Sequence, residues 1–393
     1  MTARRRVCVV TATRAEYGLL YWLLKALEAD ASVELQLVVT GTHLCANFGM
    51  TVRQIEADGF PIADRVQMLL HDDSPRGIAK SMGLATLGLA DTFARLEPDV
   101  VVLLGDRYEM LAAAQTAMIA RIPIAHIHGG EATEGLIDEA IRHAITKMSH
   151  LHFVAADAFR QRVLQLGEAP ERVWVVGATG LDNIARLPLL SRAELEAHLQ
   201  LEFASPTFLV TYHPVTLHHE DPAIAMETLL RVLDETGGTI ILTGVNADTG
   251  ARAIRETAER FARQRPGRVA LVESLGALRY LSAIHHADVV VGNSSSGLIE
   301  APAVGTPTID IGERQRGRLR ADSVIHCSAD EADLRGAVAA ALTPAHQALS
   351  ARRQTPYGTP GAAERIAQVL ATVSLDGILV KRFHDLAPPV EAA

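Results

Sequence analysis

The chain has 393 residues and a formal net charge of −9, long enough for two domains and too acidic for a nucleic-acid footprint. Its 48% hydrophobic content is that of a globular protein, and no segment reaches the roughly 18 uninterrupted apolar residues of a membrane span. Cys8, Cys45 and Cys327 are widely separated; they show neither a disulfide framework nor metal-ligand spacing, and a reducing cytoplasm is the expected compartment.

At the start, Arg4-Arg5-Arg6 resembles the basic end of a signal peptide. The apolar run Val7–Val10 breaks too early for one and reads as a first strand. From there, short apolar runs alternate with longer segments of helical period, which predicts βα units around buried parallel strands and an α/β fold class. In the first half, strands are expected at Arg6–Val10, Glu34–Thr40, Val100–Leu104, Ile124–Ile127, His152–Val154 and Val173–Val176. After Gly177-Ala178-Thr179-Gly180 comes a helical stretch, Leu190 to Leu201, and then Pro206, together read as an interdomain connection. Strands resume at Thr207–Thr211, Thr239–Leu242, Val269–Leu271, Asp288–Val291 and Thr308–Ile311. A turn-rich break at 356–361 precedes an apolar-faced helix, Ala362 to Thr372. The expected domains are therefore 1–180 and 181–361, both doubly wound and Rossmann-like, with 362–393 a helix and tail free to pack back on the first. If the two domains face one another, loops at the carboxyl ends of their strands line a shared cleft.

The candidate chemistry lies at such strand ends. Gly292-Asn293-Ser294-Ser295-Ser296-Gly297 follows a strand and opens a helix. Backbone N–H groups there lack intrahelical partners and the helix dipole is positive, so Gly292, Ser294, Ser295 and Ser296 form a candidate phosphate shell. Glu300, farther along, is placed for ribose hydroxyls. A serine-rich cap with no ligand is the alternative. After the Val100–Leu104 strand, Asp106 and Arg107 stand together, although an Asp at a helix start is more often an N-cap. Then His126-Ile127-His128-Gly129-Gly130-Glu131 sets two histidines and a glutamate at another strand end. An HxH pair on one strand points both rings the same way and raises a metal, but the Gly-Gly that follows and the missing further ligands speak against it. Asp138 and Arg142 are spaced i, i+4, as a surface pair would be, yet border an isoleucine stripe. His143, His150 and His152 read as packing or capping residues. His213 ends the Thr207–Thr211 strand and suits proton transfer near neutrality. Arg14 and Arg314 supply forked cations suited to a diphosphate.

Taken in order, Thr11-Ala12-Thr13-Arg14-Ala15-Glu16-Tyr17-Gly18, Gly105-Asp106-Arg107, His126 to Glu131, Ile137 to His143, Tyr212-His213-Pro214 and Gly292 to Pro302 resemble the motifs of the hydrolysing sugar-nucleotide 2-epimerases. These are relatives of UDP-N-acetylglucosamine 2-epimerase that feed sialic-acid-type sugar biosynthesis, and the resemblance runs over nearly the whole chain. It implies a GT-B-like pair of Rossmann domains closing over a nucleotide sugar, with no NAD, other cofactor or metal, in a homodimer or homotetramer. By motif position it implies that Arg14, Ser294, Ser295, Glu300 and Arg314 hold the nucleotide. Asp106, Glu131, Asp138, Arg142 and His213 would stand around the sugar and leaving phosphate. One departure matters: better-known members carry a glutamate where this chain has His128. Either a proton-transfer duty passes to Glu131 or to His128 itself, or the change marks a subgroup acting on another amino sugar. The insertion-like Ala132-Thr133-Glu134-Gly135 favours a subgroup such as the legionaminic-acid-pathway enzymes, which accept nucleotide-linked 2,4-diacetamido-2,4,6-trideoxyglucose.

The implied reaction starts with departure of the nucleoside diphosphate from C1, because no carbonyl acidifies the C2 proton of the intact substrate. Loss of that proton gives a glycal; water then adds at C1 and a proton returns to the opposite face of C2. Two faces need two proton-handling positions. A GT-B glycosyltransferase and a silent nucleotide-sugar sensor are the competing expectations.

Overall fold

The computed structural model describes residues 4–72, 74–134, 136–214, 222–244 and 251–386. Among the described residues thirteen strands, all paired in parallel, form two sheets. The first holds β1 (Arg5–Thr11), β2 (Val33–Thr40), β3 (Ile62–Val66), β4 (Val100–Leu104), β5 (Ile124–Ile127), β6 (Leu151–Val154) and β7 (Val173–Val175), in the order β3-β2-β1-β4-β5-β6-β7. The second holds β8 (Thr207–Thr211), β9 (Thr239–Thr243), β10 (Val269–Val272), β11 (Val289–Gly292), β12 (Thr308–Ile311) and β13 (Val324–Cys327), in the order β10-β9-β8-β11-β12-β13. Both are doubly wound, as expected.

The strand period of two explains why each sheet carries a core on both faces. In β1, Val7 and Val9 join the cluster containing Leu20, Leu23 and Leu37, while Cys8 and Val10 join the opposite one with Leu89 and Phe93. In β8, Phe208 and Val210 face one core and Leu209 the other. The central strand β4, Val-Val-Val-Leu-Leu, is buried throughout. Two strands escaped the sequence reading, and both are edges: β3 is half-exposed and carries Asp64 and Arg65, and β13 is half-exposed for most of its length. The helix expected over Leu190–Leu201 is shorter, Arg192–Leu199, because Ser191 starts it with a capping box to Glu194.

One compact unit comprises Met1–Glu131, Asp138–Asp182 and Gly358–Ala393; the other comprises Ala132–Ile137 and Asn183–Tyr357. In the first, Ile366 and Leu370 of the helix Ala362–Thr372 lie in the same cluster as Leu20, Leu23 and Leu24 of the helix Arg14–Ala29. The Asp182 carboxylate accepts from the N–H groups of Gly361, Ala362 (3.1 Å) and Ala363 (2.7 Å), holding the start of that last helix.

Each sheet reverses its winding once, between β1 and β4 in the first unit and between β8 and β11 in the second. At such a point neighbouring strands send their connections to opposite sides and leave a crevice at the carboxyl ends. At the end of β11, Gly292 has φ +139°, and a Cβ there would collide with the Thr211 carbonyl of β8. Gly292→Ala is therefore expected to destabilise the protein by about 2 kcal/mol or more, read as a shift of the urea midpoint; an unchanged midpoint contradicts the close approach.

Candidate active site

At the first reversal, β1 runs into the helix Arg14–Ala29, which starts with a capping box. Thr13 accepts from the Glu16 N–H, and Glu16 Oε2 accepts from the N–H groups of Ala12 (2.8 Å) and Thr13 (3.1 Å). Arg14 stands exposed on that first turn. After β4, Asp106 is not the N-cap of the helix Tyr108–Ile119; Arg107 holds that position and makes no side-chain capping bond. Instead Arg107 donates Nε and Nη2 to Glu109 at 3.1 and 3.3 Å. Glu109 is wholly buried. Burial, and next the Glu109 charge, push the Glu16 carboxyl above the usual range.

Asp106 is committed elsewhere. Arg142, in the helix Asp138–Met148, is only 2% exposed, and its Nη2 pairs with the Asp106 carboxylate. Its Nη1 donates to the His128 carbonyl at 3.0 Å and lies 3.6 Å from Glu131 Oε2. One buried cation thus gathers groups from the ends of β4 and β5. Asp138 begins the same helix and is half-buried.

The two histidines of the HxH motif part company. His126 is inside β5, fully buried, with Nε2 donating to the Gly105 carbonyl at 2.7 Å and Nδ1 3.1 Å from the Thr146 hydroxyl. Burial drives it down to about 3. His128 lies past the strand end with φ +64°, so strand alternation no longer aims its ring. Its Nδ1 is 2.5 Å from Glu131 Oε1, and its Nε2 faces the Thr179 hydroxyl at 3.1 Å and N–H at 3.3 Å. Among the described residues, no cluster of three or more metal-ligating side chains occurs. His150 accepts from the Ile124 N–H, His152 pairs with Glu168, and His143 meets Glu139.

In the second unit, Asn293 organises the end of β11. Its Oδ1 accepts from the His213 N–H at 2.7 Å, and its Nδ2 donates to the His213 carbonyl at 2.8 Å. Its own carbonyl accepts from Arg314 Nη1 (3.2 Å) and Gln315 Nε2 (2.8 Å). Burial, then the Arg314 charge, hold His213 down to about 3. The helix Ser296–Val304 has Ser295 at its N-cap with no side-chain capping bond. Ser296 bonds the Tyr280 hydroxyl at 2.5 Å and lies 3.1 Å from the Ser294 hydroxyl. Glu300 is one turn in and half-buried.

The structure therefore brings together Asp106, His128, Glu131 and Arg142 in the first unit. In the second it brings together His213, Gly292, Ser294, Ser295, Ser296 and Arg314. Thr179, Asn293, Glu109 and Gln315 were not singled out as site residues from the sequence. Glu109 was visible beside Arg107; Thr179 and Asn293, being neutral, carried no signal of charge or period.

The sequence model of the family described as UDP-N-acetylglucosamine 2-epimerase matches residues 25–371. The chain belongs to that family. It is 40% identical over 332 residues to the GDP/UDP-N,N'-diacetylbacillosamine 2-epimerase (hydrolyzing) of Campylobacter jejuni, covering 84% of this chain and 86% of the relative. It is 36% identical to the UDP-N,N'-diacetylbacillosamine 2-epimerase (hydrolyzing) of Legionella pneumophila, covering 96% and 98%. Both relatives are named as hydrolysing enzymes, and this chain is an enzyme of that type. The solved structure of the Neisseria meningitidis UDP-GlcNAc 2-epimerase bound to UDP-GlcNAc has a TM-score of 0.79 at 16% identity, covering 93% of this chain and 99% of that one. At that identity the likeness shows the fold, the GT-B-like pair of α/β domains expected from the sequence.

Two outcomes follow from this family site. Arg142→Met removes the cation between two carboxylates and is expected to cost about 3 kcal/mol in urea unfolding; a cost below about 1 kcal/mol contradicts the buried pair. Four buried histidines have folded pKa values below the ordinary 6.5, His126 and His213 at about 3 and His43 and His150 at about 4, burial being the first cause in each. Below pH 6.5 the unfolded chain takes up protons that these groups refuse, so stability is lost as pH falls; Glu16, raised, acts with the opposite sign but is one group against four. The thermal midpoint of the free protein is expected to fall from pH 7 to pH 5, and a rise over that interval contradicts the assignment.

Proposed function

We propose that this enzyme hydrolyses and epimerises a nucleotide-linked 2,4-diacetamido-2,4,6-trideoxyglucose, the diacetylbacillosamine of its Campylobacter and Legionella relatives. The products are the free manno-configured sugar and the nucleoside diphosphate. The observation that carries the reading is Arg142, buried and joined to Asp106 while lying close to Glu131, which sets carboxylates from two adjacent strand ends around one cation. A reaction that removes a C2 proton on one face and returns one on the other needs such paired acid–base groups.

In this reading the helix start at Ser294–Ser296, with Arg314, holds the diphosphate, and Glu300 holds the ribose. His213 is kept deprotonated in the free protein by burial and by Arg314. A bound diphosphate anion reverses that electrostatic sign and lets the imidazole donate to the leaving oxygen. Departure of the diphosphate gives C1 oxocarbenium character, and Asp106 or Asp138 takes the C2 proton to form the glycal. Water adds at C1 while another acid, Glu131 among the candidates, protonates C2 from the opposite face. Arg14 and Arg107 are further cations for binding the substrate, with Glu109 fixing one edge of the Arg107 guanidinium.

Proton NMR in deuterated water tests this with UDP- and GDP-linked 2,4-diacetamido-2,4,6-trideoxyglucose and UDP-N-acetylglucosamine, no acceptor being present. Free manno-configured diacetamido sugar carrying deuterium at C2 is expected, with Asp106→Asn slower by about 100-fold or more. Turnover only when an acceptor is added identifies a glycosyltransferase, and binding without turnover a sensor; either result overturns the proposal.

A further inference from the structure

His128 stands where both of its ring nitrogens are already engaged by the protein. The Thr179 N–H points at Nε2 from 3.3 Å, and an N–H can only donate, so Nε2 is the acceptor. The ring proton then sits on Nδ1, 2.5 Å from Glu131 Oε1. The backbone is fastened as firmly as the ring. The His128 N–H donates to the Phe153 carbonyl at 2.9 Å and its carbonyl accepts from Arg142 at 3.0 Å, which together hold the left-handed φ of +64°.

Glu131 is the group this arrangement serves. It is 2% exposed, with Oε1 on His128 and Oε2 facing Arg142. We infer that His128 is a positioning residue and not a proton carrier: with Thr179 setting its tautomer, it donates Nδ1–H to Glu131 and aims that carboxylate at the sugar. Thr179 is then a positioning residue one step farther out. This rests on the epimerase reading above and assigns the proton duty left open between Glu131 and His128 to Glu131.

Side-chain geometry supplies the test. The amide nitrogen of asparagine is as many bonds from Cα as the imidazole Nδ1, and asparagine tolerates a left-handed φ. His128→Asn thus keeps the backbone and the donor to Glu131 while removing the imidazole; His128→Gly keeps the backbone alone. Under the conditions of the deuterium assay, kcat is expected to fall by no more than about tenfold in H128N and by about 100-fold in H128G, with KM within a few-fold in both. Equal collapse of the two variants, or equal retention, overturns the inference. A wild-type enzyme that releases no sugar sinks the epimerase reading instead, and this inference with it. The imidazole nitrogen-15 spectrum of the free wild-type protein gives a readout that needs neither turnover nor a folded variant: Nδ1-protonated His128 is expected, and Nε2-protonated His128 overturns the assignment.

Discussion

A guanidinium that is 2% exposed must be surrounded by anions and carbonyls, and Arg142 dictates in this way what stands at the ends of β4 and β5. Asp106, the His128 carbonyl and Glu131 all come from irregular backbone just beyond a strand, where strand alternation no longer fixes their direction. The cation does. It also lets two carboxylates share a small volume, since its charge offsets their mutual repulsion. Remove it and the acids must part, protonate or find solvent, and the loops that carry them lose their common anchor.

The second unit meets the same requirement without a formal charge at the centre. Asn293 spends its amide on both backbone groups of His213 and its carbonyl on Arg314 and Gln315. An amide can act as donor and acceptor at once, which a guanidinium cannot, so one side chain can grip a neighbouring strand end in register. Both hubs sit beside a reversal of the winding order, where diverging connections leave backbone and side chains accessible to a ligand.

The buried central strands were legible because burial on both faces demands an unbroken apolar run, as in Val100–Leu104. The edge strands β3 and β13 were not, because one exposed face admits Asp64, Arg65 and His326 and dissolves the run. Charged candidates were legible because strand ends are where an α/β fold displays them. Their partnerships were not. Spacing put Asp138 beside Arg142 and suggested an N-cap for Asp106, yet Asp106 joins Arg142 across the fold, a relation that only tertiary packing creates. Thr179 lay in what read as a linker, and what it brings to His128 is the direction of one N–H and one hydroxyl.

The helix Ala362–Thr372 belongs to the unit that begins at the N-terminus, and its Ile366 and Leu370 cover the same core as Leu20 and Leu23. On the ribosome, that apolar face of the helix Arg14–Ala29 is made early and stays uncovered while the entire second unit is synthesised. The unit containing Asp106, Glu131 and Arg142 is therefore the first to emerge and the last to close. A chain that stops before Gly358 carries every one of those residues and still lacks the piece that shields their scaffold from water.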